Sequence, residues 1–160
     1  MSSRRKGRIL AFQALYSWES NRSPSKSGDP QGQNVPDGLL DFSWSQKADG
    51  TQTINEETRS FSRLLVSGTL ENIADVDLMI QKHLKNWNIE RLNLVDMAIL
   101  RMSVYTLMYQ SDMPATIVID EAICIAKEFG TDDSFRFVNG VLDAINKTIT
   151  QGGVNGDKIN

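Results

Sequence analysis

Leu92-Asn93-Leu94-Val95-Asp96-Met97-Ala98-Ile99-Leu100-Arg101-Met102-Ser103-Val104-Tyr105 carries two stripes at helical spacing. Leu92, Val95, Ile99 and Met102 form one, and Leu94, Ala98, Arg101 and Tyr105 form the other. Side chains three and four residues apart lie on one helix face, so the segment reads as a long helix over roughly 90–110. Asp112-Met113-Pro114 ends it, because the residue before proline avoids the helical region while proline suits a helix start. The next helix covers about 114–129, with Val118, Ala122, Ile125 and Phe129 inward and Gly130 as its C-terminal cap. Thr131 or Asp132 then caps a last helix to about 149, through Val138, Leu142, Ile145 and Ile149. Asn139-Gly140, a strong hairpin dipeptide, conflicts with that stripe. The stripe wins over three turns. Gly140 then costs about 1 kcal/mol against alanine, which points to close approach of another helix or a ligand.

Toward the N-terminus, Trp87 and Asn88 mark a turn after a helix at about 72–86, with Ile73, Val76, Ile80 and Leu84 along it. Before that, about 55–70 reads as a helix with Phe61, Leu64, Leu65 and Gly68 inward. A first helix runs from Ser3 to about Ser20, with Ile9, Phe12 and Tyr16 on one stripe beside Ala11, Leu15 and Trp18. Between these two, fifteen of the eighteen residues 21–38 are Ser, Gly, Pro, Asn, Asp or Gln. Such a segment buries too little apolar surface to offset its ordering, so 21–54 reads as a long flexible loop. Leu39, Leu40, Phe42 and Trp44 would pin down its second half. The Gly- and Asn-rich residues 151–160 read as a disordered tail. The expectation is an all-α chain, one helical domain over 1–150, with no strand and no repeat.

The 160 residues include one cysteine, Cys124, and one histidine, His83. An internal disulfide is impossible and a Cys/His zinc site nearly so, which favours a reducing, cytoplasmic setting. No run approaches the length of a membrane span, and no apolar core or cleavage site follows the basic start as in a secretory signal. Net charge is −3, but residues 1–18 hold four of the 17 basic side chains, Arg4, Arg5, Lys6 and Arg8, and none of the 20 acidic ones. The arm is therefore +4 and the remainder −7, a polarity that suits either phosphate neutralisation or a solubilising tail. Its cations oppose the helix dipole, so the first turn should fray or await an anion.

Chemistry is scarce. No phosphate loop or dinucleotide fingerprint is present, and no Ser-His or Cys-His pairing suggests itself. Asp120-Glu121 and Asp132-Asp133 are adjacent, so neither pair converges on one substrate. Cys124 reads as a small core residue and His83, between lysines 82 and 85, as surface. The chain is not expected to be an enzyme.

Three stretches are specific in their order and spacing. Arg8 is followed by Ala14-Leu15-Tyr16. Asp96-Met97-Ala98-Ile99-Leu100-Arg101 leads to Tyr105 and Asp112-Met113-Pro114. Ile119-Asp120-Glu121-Ala122 and Ala126-Lys127-Glu128-Phe129-Gly130 run into Phe137-Val138-Asn139-Gly140-Val141-Leu142-Asp143. Together with His83-Leu84-Lys85-Asn86-Trp87 and Glu90-Arg91-Leu92, they give a chain that resembles the NusB family of bacterial transcription antitermination factors everywhere except 21–54 and the last ten residues.

That resemblance implies two packed three-helix bundles and no cofactor or metal. It implies binding of boxA RNA from ribosomal RNA operons together with the ribosomal protein NusE, and entry into the elongating RNA polymerase complex with other Nus factors. Arg4, Arg5, Lys6 and Arg8 match the family's arginine-rich segment and would contact phosphates and bases. Phe137 is either a base-stacking platform or a core aromatic, and Arg136 beside it would meet phosphate. Arg101 is either an RNA contact or an intramolecular partner of Asp120 or Glu121. Asn139 either bonds a base or caps backbone near Gly140. Tyr16 and Asp96 match positions facing NusE, against the plainer readings of a core tyrosine and an exposed helix acid. Thr106 departs from the family, which usually has glutamate there, so a salt bridge made at that position is lost. The same fold also forms the N-terminal domain of ribosomal RNA cytosine methyltransferases. Here no glycine-rich S-adenosylmethionine motif follows, which leaves a detached accessory module, or a purely structural helical module, as the other readings.

Overall fold

The computed structural model describes residues 3–22, 38–45, 54–85 and 88–159, with side chains as far as Gly152. Six helices follow in order: α1 (Ser3–Ser20), α2 (Glu56–Glu71), α3 (Ile73–Lys82), α4 (Leu94–Tyr109), α5 (Ala115–Phe129) and α6 (Ser134–Ile159). Short 3-10 turns sit at Ser43–Ser45 and Ile89–Arg91, and no strand occurs among the described residues. α1 packs along α2 and α5 along α6, while α3 lies mainly against α4. α4 is the seam between these pairs and packs against all five other helices. Its residues 96–106 are accordingly all buried, including Asp96, Arg101, Ser103 and Thr106. The all-α expectation and its six helices stand.

Several boundaries differ from expectation, each for a local reason. α4 begins at Leu94 rather than near 90 because the Asn93 side chain accepts the Asp96 N–H at 2.8 Å and caps the helix there. α3 stops at Lys82, short of 86, where the His83 ring bonds the Met79 carbonyl at 2.8 Å and Thr148 Oγ1 of α6 at 2.7 Å. α6 starts at Ser134, whose Oγ accepts the Thr131 N–H at 2.9 Å, the return arm of a capping box that places Thr131 at the helix entrance. It runs on to Ile159, past the end expected near 149, since glycine weakens a helix without the steric stop that proline gives.

α2 carries the largest correction in phase. Leu64, expected inward, is 47% exposed, whereas Leu65 and Gly68 are buried as expected, and Val66 and Leu70 join them with the small Thr58, Ser62 and Thr69. These small side chains let neighbouring helices approach: Ser62 Oγ donates to the Gly7 carbonyl of α1 at 2.8 Å. A Cβ on Gly68 would collide with the Tyr105 ring of α4. Gly140, expected at a close approach, is exposed, and a Cβ added there would have nothing within 4 Å. Cys124, expected in the core, is exposed, because α5 turns Val118, Ala122, Ile125 and Ala126 inward. Of the 21–54 loop, 23–37 and 46–53 lie outside the described residues, as does Trp87. The described part matches the expected anchoring: Leu39 and Phe42 join the core, with Phe42 fully buried, while Trp44 stays 44% exposed.

Candidate nucleic-acid interface

The basic arm is the first two turns of α1, and its cations point in different directions. Arg5 is exposed and makes a bidentate pair with Glu121 of α5, both contacts 3.0 Å. Those hydrogen bonds, followed by charge attraction, hold the Arg5 guanidinium above its ordinary pKa and the Glu121 carboxyl below its own. The exposed Arg4 guanidinium lies 5.0 Å from the Phe61 ring centroid, within cation–π range. Lys6 is half-buried beside a cleft on the outer side of α1. Arg8 departs from the phosphate-contact expectation. It is 8% exposed, 5.4 Å over Phe61, with Nη2 3.7 Å from Met113 Sδ. Burial lowers its pKa, and it shares a small cavity with Thr106, where no carboxylate stands.

α5 links the arm to the start of α6. Glu121 holds Arg5, Phe129 packs on Phe12 with centroids 5.3 Å apart, and Lys127 Nζ sits 5.1 Å over the Phe135 ring. Arg136 is exposed, 5.2 Å over Phe135 and 4.0 Å from Asp133, an ion pair too loose to restrain it. Phe137 is half-buried against the core and Asn139 is exposed. Phe135, which no sequence motif singled out, is the aromatic that gathers cations here. The available signal is its flanking by Arg136 and the facing end of α5.

Arg101 is not on a binding face. It is 4% exposed and grips Asp77 of α3 through two 2.9 Å bonds and Glu19 of α1 through one of 3.0 Å. An intramolecular acid was one of its two expected roles, but the acids are these and not Asp120 or Glu121. Burial opposes its charge, yet Asp77 and then Glu19 keep its pKa raised. Tyr16 is 39% exposed, as an interface tyrosine requires. Asp96 is only 6% exposed. Its Oδ2 accepts the Asn93 side-chain N–H at 3.0 Å and its Oδ1 has no hydrogen-bond partner. Among the described residues no cluster of three or more His, Cys, Asp or Glu could hold a metal.

The profile of the NusB family matches residues 5–147. The chain belongs to the NusB family. The transcription antitermination protein NusB of Treponema denticola is 54% identical over 142 residues, 89% of this chain and 94% of that protein. The solved T. maritima NusB superposes with a TM-score of 0.73 at 33% identity, covering 92% of each chain. A crystal structure of the antitermination factors NusB and NusE in complex with dsRNA matches with a TM-score of 0.73 at 26% identity, over 92% of this chain and 98% of that one. The all-helical fold of these NusB structures is the fold found here. Among the described residues no helix is long and apolar enough to cross a membrane.

Proposed function

We propose that this chain is a non-enzymatic transcription antitermination factor of the bacterial cytoplasm. It binds boxA RNA of ribosomal RNA operons jointly with NusE, and in that complex joins the elongating RNA polymerase with other Nus factors. The observation that carries the reading is the exposed cationic arm, Arg4 and Arg5 with Lys6, on a fold that matches a NusB solved with NusE and RNA. Arg4, Arg5 and Lys6 supply phosphate contacts that set register. At the start of α6, Arg136 adds a further phosphate contact, Phe137 a stacking edge and Asn139 hydrogen bonds to a base. Tyr16, exposed on α1, faces NusE, whereas Asp96 is buried too deeply for a partner's side chain to reach its Oδ1.

Fluorescence anisotropy tests this with labelled boxA RNA and a scrambled control, each with and without NusE, across a salt series. A boxA preference that strengthens with NusE supports the reading. Equal, weak and steeply salt-dependent binding to both RNAs overturns it, leaving the arm as an electrostatic tail.

A further inference from the structure

An open cleft of about 460 Å³ lies between the outer side of α1 and the second half of the 21–54 insert. Lys6, Ile9 and Gln13 line it from α1, Trp44 and Ile54 from the insert, and Glu128 from the end of α5. Its volume is in the range of small-ligand sites. We propose that this cleft takes one nucleobase of the bound single-stranded RNA, stacked on Trp44, an inference that rests on the RNA-binding reading above.

The aromatic is exposed but held. The Trp44 indole N–H donates to the Leu39 carbonyl at 3.3 Å, and its ring packs on Phe42 with centroids 5.8 Å apart. Phe42 is itself fully buried at φ 58°, a left-handed conformation that a bulky residue keeps only when its surroundings enforce it. A large apolar face held so firmly at the surface costs little ordering on binding. The charges choose the occupant. Lys6 belongs both to the cationic arm and to the cleft, so a strand whose phosphates follow the arm passes its mouth. Glu128 disfavours a phosphate inside and accepts base amino groups, while the Gln13 amide can donate to or accept from a base edge. Cation, amide, carboxylate and an aromatic platform together suit a nucleobase better than an apolar peptide side chain.

The test measures boxA RNA affinity of the full-length protein by anisotropy, with tryptophan emission followed in the same titrations. Trp44→Ala should bind about tenfold more weakly with an unchanged salt slope, since no phosphate contact is lost. Trp44→Phe should retain most of the affinity and lose the RNA-induced change in emission. Gln13→Ala, which leaves the insert's anchoring intact, should weaken binding from the opposite wall. If Trp44→Ala binds as the wild type does while Arg5→Ala is weakened, the cleft takes no base and the RNA reading survives. Weak binding by Trp44→Ala without any RNA-induced change in wild-type tryptophan emission also overturns the proposal, because the insert then acts through packing alone. Absence of RNA binding by the wild type overturns both.

Discussion

Two buried arginines have opposite surroundings. Arg101 is matched by Asp77 and Glu19, and it ties α4 to α3 and α1 in the middle of the molecule. Removing it leaves two partly buried carboxylates facing each other, so Arg101→Met should destabilise by about 3 kcal/mol in urea unfolding. RNA affinity measured on the folded fraction should not change. Although burial alone would raise the Glu19 carboxyl, Arg101 and then Arg22 hold it below its ordinary pKa. Its contribution is therefore complete above the ordinary carboxylate range and is lost as pH falls toward the lower folded-state value. Glu19→Gln should flatten the stability–pH curve across that acid window, which thermal melts at stepped pH would read. Arg8, by contrast, is buried beside a thioether and an aromatic ring, and shares a small cavity with the uncharged Thr106. Thr106→Glu should give that guanidinium a charged acceptor and raise stability by about 1 kcal/mol. For a chain this long that is about 3 °C in melting temperature. A lower melting temperature would show that the acid cannot reach Arg8.

At the scale of elements, the helices announced themselves and their contacts did not. Stripes at three-to-four spacing mark the helices, because an amphipathic face must be buried wherever the helix ends up, and in α4 two stripes together leave 96–106 buried all round. Starts and stops depend on single hydrogen bonds, such as those of Asn93 and Ser134. In α2, the sequence turns Leu64 inward, whereas the buried face carries Leu65, Val66 and Leu70 together with the small Ser62, Gly68 and Thr69, which permit close backbone approach. The two glycines separate these effects. Gly68→Ala should cost about 2 kcal/mol or more, since its methyl group overlaps Tyr105. Gly140→Ala should stabilise by about 1 kcal/mol, because the added methyl meets only solvent on an exposed helical turn. Chemical denaturation of both variants decides the matter, and a stabilised Gly68→Ala would refute the packing given for α2 and α4.

Across the whole molecule, the arm on α1 and the start of α6 meet along α5. Arg5 already has an anionic partner in Glu121, so RNA phosphates must displace that carboxylate to engage it. An exposed pair of this kind holds its partners only weakly. Glu121→Gln should therefore bind boxA RNA about twofold tighter at low salt, with the advantage fading as salt screens both states. Weaker binding would mean that Glu121 positions Arg5 for RNA instead of restraining it.

The amino-acid sequence determined the helical class, the places of the helices, the anchoring of the insert by Leu39 and Phe42, the charge polarity and the family. All of these follow from short-range periodicity or from residue order. Which of the candidate cations face solvent was decided only by the tertiary structure. Arg101 and Arg8 stand in stretches that read like those of Arg5 and Arg136, yet packing buries the first two and leaves the others exposed. The same holds for Asp96, whose plainer reading was an exposed acid and which lies buried in the first turn of α4. Burial and long-range charge pairing depend on which helices meet, and α4, which meets all of them, hides its polar residues as completely as its apolar ones.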